Sequence, residues 1–345
     1  MSAIRHIKWP DIEQFRNVIR NVKQHAQYAG RDANDDPVYD PLRPVPTLDF
    51  EGTVKLHGTN AAVCYNRSTD EVWYQSRERI ISIQDDNAGF CRFWQGLIES
   101  GINPGLLLAE FGGTEIVIFG EWCGGSIQKG VALNKLPKQF VIFGLMIDEV
   151  YHDFAELEDV LVRISAANHN LYHIKQIPTY KISIDFNKPE LAQNEMIDIT
   201  LKVEQECPWG QRFCATGTGE GVVWRCISPG YESSKFWFKV KGEKHSVSKV
   251  KTLAAVDTEK VASINEFVDK VVTPQRCQQS IDKLREAGHK DITRALLGDY
   301  IRWIVNDVAK EESDTAKASG IELKDVNGKL SQKAKEWFFQ NETSL

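Results

Sequence analysis

A lysine that can act as a nucleophile opens the motif Lys-Leu-His-Gly-Thr-Asn at residues 55–60. A free lysine has a pKa of about 10.4, so well under about 1% of it is the neutral, phosphorus-attacking amine at pH 7. Nearby cations and a desolvated pocket lower the pKa of such an amine. Here the candidate cations are Lys239, Lys241 and a bound metal ion. The spacing Lys-x-x-Gly alone is typical of many surface turns, so the assignment of Lys55 depends on other residues.

Four further segments rich in charged and glycine residues follow Lys55 in the chain. They are Ser76-Arg77, Phe119-Gly120-Glu121-Trp122, Glu220-Gly221-Val222-Val223 and Lys239-Val240-Lys241. Alternation along a strand places Lys239 and Lys241 on one face of a sheet. His57 follows Lys55 by two residues, so on an extended segment the two side chains project to the same face.

Each segment offers a group that suits a nucleotide. Arg77 has the guanidinium fork that binds a phosphate through two hydrogen bonds, and its neighbour Arg79 competes for this role. Carboxylates repel phosphate, so we expect Glu121 to accept hydrogen bonds from ribose hydroxyls. For the same reason we expect Glu220 to hold a divalent cation beside a triphosphate. Phe143 is a candidate to stack on a base, although phenylalanine in a strand is more often a core residue.

Length and composition indicate a globular protein with two domains, since the chain has 345 residues of which 42% are apolar and 26% charged. No stretch approaches about 18 uninterrupted apolar residues, and residues 1–6 lack the apolar core of a signal peptide. We therefore expect a soluble cytoplasmic protein (host cytoplasm if viral) with no membrane partner. The net charge of −6 argues against non-specific coating of nucleic acid but permits a local basic groove. The seven cysteines lack paired spacing, so neither a zinc site nor a disulfide framework is predicted.

Hydrophobic periodicity predicts an α+β fold with antiparallel sheets over residues 48–242. Apolar residues three to four apart predict an amphipathic helix over residues 9–28. The polar segment 30–46 contains four prolines and is predicted to be a loop. Predicted strands begin in the segment 47–50 and continue at 61–65, 72–75, 115–120, 140–147, 221–226 and 236–240. Helices are predicted near 87–100 and 153–168.

The pattern becomes purely helical after residue 247. Asp257 can cap a helix that contains Val261, Ile264 and Phe267 and ends before Pro274. Further helices are predicted at 274–287, 290–312 and 331–340. We therefore divide the chain into a catalytic domain, residues 1–247, with an N-terminal helix, and an all-helical domain, residues 248–345.

Together these motifs resemble the covalent nucleotidyltransferases, a superfamily that contains polynucleotide ligases and mRNA capping enzymes. Within it the chain looks like the RNA ligase type 2 family of phage, because the nucleophile motif is Lys-x-His-Gly-x-Asn where DNA ligases have Lys-x-Asp-Gly. Residues 119–129 resemble that family's third motif with its downstream Gly…Ile-Gln-Lys stretch. A helical C-terminal domain also takes the place of the OB-fold of DNA ligases and capping enzymes. The similarity covers residues 45–245.

The resemblance implies a fold, a reaction and a role for individual residues. The fold is a nucleotidyltransferase domain, related in its task to ATP-grasp adenylation domains, followed by helices. Lys55 would be the lysine that carries AMP, assisted by His57 and Asn60, with Glu220, Lys239 and Lys241 completing the catalytic set. The implied nucleotide-binding residues are Val54, Lys55, Asn60, Arg77, Glu121, Phe143, Glu220, Lys239 and Lys241. Glu220 is the implied metal ligand.

The implied cofactors are ATP and Mg²⁺ or Mn²⁺. The implied partner is RNA, as a nicked duplex or as bridged ends, and the protein is expected to act as a monomer. Two features depart from the family pattern: 54 residues precede Lys55, and Val223-Trp224-Arg225 stands where an apolar residue followed by lysine is usual.

Two alternatives to an RNA ligase remain open. One is an mRNA guanylyltransferase, which would transfer GMP to a diphosphate end. The other is an RNA-binding relative that lost activity, against which the complete charged motif set argues.

Overall fold

The computed structural model describes residues 4–128, 130–152, 170–242, 244, 246 and 264–345, with strands only in the first three ranges and helices alone after residue 263. The strands are β1 (Tyr28–Arg31), β2 (Pro37–Tyr39), β3 (Thr47–Lys55), β4 (Thr59–Asn66), β5 (Glu71–Ser76), β6 (Ile80–Ile81), β7 (Glu115–Cys123), β8 (Gln139–Ile147), β9 (Val150–His152), β10 (Leu171–His173), β11 (Tyr180–Asp185), β12 (Gly221–Cys226) and β13 (Phe238–Lys241). The α-helices of the described residues are α1 (Phe15–Gln27), α2 (Phe90–Glu99), α3 (Pro104–Phe111), α4 (Gln193–Gln205), α5 (Pro208–Arg212), α6 (Ile264–Val271), α7 (Pro274–Glu286), α8 (Leu297–Ala318) and α9 (Leu323–Asn341). This arrangement confirms the predicted α+β class and the helical C-terminal region.

A four-stranded antiparallel sheet carries the nucleophile motif. Its strand order is β11-β3-β12-β13. Along β3 the side chains alternate, with Phe50 and Val54 buried and Lys55 on the more open face. Such alternation is typical of a sheet with one face on the core. Lys55 pairs in register with Gly221 of β12, which pairs in turn with Lys241 of β13.

A second sheet, of seven strands, carries the predicted ribose and base contacts. Its order is β10-β8-β7-β4-β5-β6, and β9 pairs with β8. The pairing of β10 with β8 is parallel, and the others are antiparallel. Asn60 of β4 lies opposite Glu121 of β7. The register of β7 and β8 shifts beside Gly120, where Phe143 is the extra residue of a β-bulge.

Both sheets and α1 share one hydrophobic core. Phe50 and Val54 of the smaller sheet belong to the same buried cluster as Ile116 and Trp122 of the larger one. The buried stripe of α1 consists of Phe15, Val18, Ile19 and Val22. Because these residues recur every three or four positions, they lie on one face of the helix. The core therefore fixes the two sheets relative to each other.

Helix α1 begins later than predicted, because the chain stays extended through Gln14. The N–H of Glu13 donates to the Trp237 carbonyl at 3.0 Å, and the Glu13 carbonyl accepts from the Lys239 N–H at 3.0 Å. Glu13 therefore bridges to the edge of β13, and residues 9–14 are not part of the helix. The spacing of Ile12 and Phe15 suggested a helix because local periodicity carries no information about this distant partner.

The segment 30–46, predicted as a loop, contains part of a hairpin. β1 and β2 pair antiparallel, and Pro37 opens β2 at a sheet edge, where its missing N–H is tolerated. The sequence patterns also missed β10, β11 and the helices α3 to α5. A three-residue strand such as β10 has too few positions to show an alternating pattern.

The helices after residue 263 have a hydrophobic core of their own. Its buried members all lie between Phe267 and Phe338, with Tyr300 and Leu330 among them. Helix α7 confirms the predicted helix at 274–287, whereas α8 begins at Leu297 and α9 at Leu323. Across the described ranges, no helix has both the length and the apolar character needed to cross a membrane.

Three of the sequence predictions lie outside the described residues. They are the helix at 153–168, the first part of the helix capped by Asp257, and the domain boundary at residues 247 and 248. The division into two domains therefore stays a prediction.

Candidate active site

All ten residues predicted for the site line one cavity of about 570 Å³. They are Val54, Lys55, His57, Asn60, Arg77, Glu121, Phe143, Glu220, Lys239 and Lys241. Both sheets contribute walls, and α7, α8 and the extended N-terminal segment close the remaining sides. Residues up to 187 positions apart in sequence, Val54 and Lys241, thus meet at one place.

Glu220 connects the two lysines at the centre of this cavity. Lys55 Nζ donates to Glu220 Oε2 at 2.7 Å, and Lys241 Nζ lies 3.0 Å from Glu220 Oε1. His57 Nδ1 is 3.2 Å from Glu220 Oε2, so His57 faces the same side as Lys55, as predicted. The sequence prediction placed Lys241 beside Lys55 as a neighbouring cation. In the structure a carboxylate lies between them.

The Glu220 carboxylate is ionised although it is almost fully buried, with 3% of its side chain exposed. Burial alone would raise the pKa of Glu220, but the charges of Lys55 and Lys241 and the hydrogen bond from His57 hold it well below its ordinary value. Burial also acts on Lys241, yet the Glu220 carboxylate raises the pKa of that lysine. The pair is therefore charged on both sides.

Lys239 has a different partner from Lys241, although both lie on the predicted face of β13. Its Nζ lies 3.6 Å from Glu311 Oε1 of α8. Burial lowers the pKa of Lys239, Glu311 opposes that shift, and the nearby Lys241 and Lys55 add to it. Of the two lysines, Lys239 is thus the one whose charge is less stabilised.

Glu121 lies on the larger sheet, where its Oε1 accepts a hydrogen bond from the Gly58 N–H at 2.8 Å. Burial raises the pKa of Glu121 to about 7, against the opposing charge of Lys55 and the Gly58 hydrogen bond. Residue 58 must be glycine, because a Cβ there would lie 2.4 Å from the Trp122 carbonyl oxygen. The glycine of the nucleophile motif therefore lets the motif pack against β7.

The structure also separates the two candidate arginines. Arg77 lines the cavity and its Nη2 donates to Asp11 at 2.9 Å. Arg79 instead binds Asp85, with Nη2 at 3.2 Å from Oδ1. Val54 is buried and belongs to the hydrophobic core, although it also lines the cavity.

Sequence reasoning missed two walls of the cavity. One is the extended N-terminal segment, in which Trp9 and Asp11 line the cavity. The other consists of polar side chains on the C-terminal helices, and it includes Gln275, Gln278, Gln279, Asp282, Glu286, Asp307, Lys310 and Glu311. The spacing of three to four residues in α7 was a usable signal for a polar face. The N-terminal segment gave no comparable signal.

Glu220 fits the role of a single protein ligand to a divalent cation. In the part of the chain that the structure describes, no group of three His, Cys, Asp or Glu side chains is arranged to hold a metal ion. Mg²⁺ bound with a nucleotide needs only one or two carboxylates, since phosphates and waters supply the other ligands. The donor set is therefore compatible with a nucleotide-bound cation.

Two sheets bring a lysine, two carboxylates and two further lysines to one cavity, a combination that suits the binding of a nucleotide. A protein-family model described as RNA ligase matches residues 48–241, the range that contains all ten predicted site residues. The chain belongs to the RNA ligase family. No curated protein sequence matches it significantly.

Solved structures of a Naegleria gruberi RNA ligase are similar to part of the chain. A variant with ATP and Mn has 17% identity and a TM-score of 0.44, covering 69% of this chain and 57% of that one. A variant with AMP and Mn has 16% identity and a TM-score of 0.44, covering 69% and 56%. The complex with pyrophosphate has 18% identity and a TM-score of 0.43, again covering 69% and 56%. The match thus spans little more than half the length of the Naegleria protein.

Proposed function

We propose that the protein is an ATP-dependent RNA ligase that joins 3′-hydroxyl and 5′-phosphate RNA ends through an AMP carried on Lys55. The observation that carries the proposal is the contact of Lys55 Nζ with Glu220 at 2.7 Å, in a cavity whose ten predicted site residues all lie within the RNA ligase family match. A lysine in this setting has both a nearby carboxylate and two further cations for phosphate.

The walls of the cavity carry side chains that suit different parts of a nucleotide. Phe143 offers an aromatic ring for adenine, and Glu121 offers a carboxylate for ribose hydroxyls. Lys239, Lys241 and Arg77 offer positive charge for phosphates. Mg²⁺ or Mn²⁺ held by Glu220 would neutralise part of the triphosphate charge.

The proposed reaction has three displacements at phosphorus. Lys55 first gives up a proton to solvent. Its neutral amine attacks the α-phosphorus of ATP, an N–P bond forms as the nitrogen loses a second proton, and pyrophosphate leaves with the electron pair. An oxygen of the RNA 5′-phosphate then attacks the lysine-bound phosphorus, which releases Lys55 and leaves AMP on the RNA. Finally a 3′-hydroxyl attacks the 5′-phosphorus, loses its proton, and AMP departs. Positioning and charge neutralisation supply most of the catalysis in such reactions.

Labelling with a nucleotide tests this proposal directly. The protein is incubated with Mg²⁺ and with ATP or GTP labelled at the α-phosphate, and covalent label is measured after denaturation. An ATP-dependent ligase takes label from ATP alone. Label from GTP alone supports the mRNA guanylyltransferase, and no label with either nucleotide supports a relative that binds RNA without activity.

We further propose a nick in duplex RNA or in an RNA–DNA hybrid as the substrate, with RNA repair as the role. Lys244, together with Lys283 and Lys310 of the C-terminal helices, lines the cavity beside the predicted nucleotide residues. These lysines offer positive charge to RNA phosphates near the proposed reaction. A duplex offers several phosphates to such cations, and each contact makes binding more salt-dependent. Sealing of a nicked duplex is compared with sealing of single-stranded RNA. Equal rates on both would contradict the duplex preference.

A further inference from the structure

Arg225 lines the cavity and packs against two tryptophan rings. Its Cζ lies 4.6 Å from the ring centroid of Trp237 and 5.5 Å from that of Trp9. The two indoles are themselves stacked, with centroids 5.6 Å apart and planes at 28°. A guanidinium packed on aromatic rings loses little conformational freedom when it makes a further hydrogen bond. Arg225 is also where the sequence departs from the family pattern.

That further hydrogen bond goes to the bulge that presents Phe143. In the register of β7 and β8, Phe119 pairs with Gly144 and Gly120 pairs with Ile142, so Phe143 is the inserted residue. A bulge re-aims a side chain but interrupts the local ladder. Arg225 Nη2 donates to the Phe143 carbonyl oxygen at 2.7 Å, from the opposite sheet. The arginine thus fixes the backbone from which the Phe143 ring projects.

Trp9 reaches this position as part of an N-terminal strap, defined as residues 5–13. At one end of the strap Arg5 binds Glu115 through hydrogen bonds of 3.0 and 2.8 Å. At the other end Glu13 is joined to the edge of β13. Between them Trp9 packs against the edge of Phe143, with centroids 5.2 Å apart.

Gly144 makes room for the indole of the strap. A Cβ on Gly144 would lie 2.1 Å from the Trp9 ring. The strap therefore crosses from the larger sheet to the smaller one and fixes Trp9 at the bulge.

We propose that Arg225, packed against Trp9 and Trp237, is a positioning residue that sets the Phe143 ring for the nucleotide base. The N-terminal strap is on this view part of the nucleotide site. This inference rests on the proposed function, because it takes Phe143 as the residue that contacts the base. Arg225 acts through Phe143 and is not itself a catalytic residue.

The test compares Arg225→Met with Arg212→Met. Arg212 makes the same two kinds of contact away from the cavity: Nη1 donates to the Gln176 carbonyl at 2.7 Å, and Cζ lies 5.9 Å from the Phe213 centroid. For Arg225→Met we expect the ATP concentration at half-maximal labelling to rise about tenfold, with the maximal rate within about threefold of wild type. Arg212→Met is expected to stay within about twofold on both measures.

Pyrophosphate separates positioning of the base from general loss of structure. It removes AMP from labelled Lys55 by reversal of the first step, and it has no base. The pyrophosphate concentration at half-maximal reversal should therefore change less than about twofold in Arg225→Met. Arg225→Lys, which keeps a cation and a donor, should recover part of the ATP effect. Trp9→Leu should move the ATP value in the same direction as Arg225→Met.

The outcomes separate failure of this inference from failure of the proposed function. If the wild-type protein takes no label from ATP, the proposed function fails and the inference fails with it. If the wild type is labelled and Arg225→Met matches Arg212→Met, only the inference is overturned. Equal weakening for ATP and pyrophosphate would also overturn it. Should Arg225→Met not fold, Arg225→Lys and Trp9→Leu give the same comparison.

Discussion

Lys239 of β13 lies 3.6 Å from the carboxylate of Glu311 on α8. Glu311 is held there by Arg276, whose side chain is 0% exposed and whose guanidinium lies 3.1 Å from Glu311 and 2.8 Å from Asp307. Burial alone would raise the pKa of Glu311. The charges of Lys239 and Arg276 outweigh that effect and hold the pKa below its ordinary value, so the carboxylate is ionised. A negative group from the C-terminal helices therefore lies where the proposed reaction requires a phosphate.

Replacement of Glu311 should ease the entry of the nucleotide. In Glu311→Gln the amide keeps the size of the side chain but no longer pairs with Lys239 as an anion. We expect the ATP concentration at half-maximal labelling to fall about threefold. Glu342→Gln is the control, since Glu342 pairs with Arg294 on the surface at 2.7 Å. If Glu311→Gln binds ATP no better than this control, Glu311 does not compete with phosphate.

Lys55→Ala should abolish covalent labelling with AMP and the sealing of 5′-phosphorylated RNA. The amine that forms the N–P bond is lost, and Glu220 loses the donor at 2.7 Å. Lys175→Ala is a matched control, because Lys175 pairs with Glu51 at 3.0 Å outside the cavity. Sealing of RNA that already carries AMP should survive better in Lys55→Ala, since that substrate bypasses the first step. A labelled Lys55→Ala protein would contradict the assignment.

Glu220→Gln should slow the first step by at least about tenfold, which corresponds to about 1.4 kcal/mol of transition-state stabilisation. The amide keeps the shape of the side chain but removes the charge that faces Lys55, Lys241 and the proposed cation.

Lys239→Ala is expected to slow the first step at least as much, by about tenfold, because it removes a cation for the α-phosphate. Single-turnover labelling at saturating ATP measures both. If either variant is labelled at a nearly normal rate, the residue replaced in it does not belong to the site.

Glu121 should make the folding stability fall as the pH rises. Burial raises its folded pKa to about 7, above the ordinary value of 4.5. The folded state therefore retains a proton that the unfolded state gives up. The contribution is fully present below pH 4.5 and is lost progressively up to about pH 7.

The variant Glu121→Gln isolates this contribution, since a neutral amide does not titrate. We expect it to match the wild type in free energy of unfolding at pH 4.5. At pH 8 it should be more stable by roughly 1–3 kcal/mol. Its labelling with ATP should fall because the ribose acceptor is weakened. Denaturant unfolding at both pH values measures the difference, and parallel pH profiles for the two proteins would contradict the assigned shift.

The sequence was sufficient for the residues that regular strands bring together. Lys55, Glu220 and Lys241 meet because β3, β12 and β13 are neighbours, and alternation along each strand fixes the face. The sequence could not predict contacts between distant, irregular segments. Lys310 binds Asp11 at 2.9 Å although the two lie 299 residues apart, and neither belongs to a periodic pattern that names the other. Likewise, the Trp9 and Arg225 contact depends on how the two sheets are placed relative to each other.

The C-terminal helices should serve the RNA steps more than the first step. Ending the chain at Ser246 removes no predicted nucleotide residue, because these all lie between Val54 and Lys241. It should also expose little of the main core, since the buried residues of that core and those of the helices form two separate hydrophobic clusters. We therefore expect the truncated protein to keep most of its ATP labelling.

Sealing of nicked RNA should in contrast weaken, and the deficit relative to the intact chain should change with salt. Lys283 and Lys310 are lost with the helices, and each phosphate contact contributes to the salt dependence of binding. The measurement is the rate of nick sealing at several salt concentrations, with ATP labelling as the control for the integrity of the first step. If the helices only covered an apolar face of the core, the truncated protein would be insoluble or unable to label. A soluble truncated protein that seals nicks as well as the intact chain would refute a role for the helices in holding RNA.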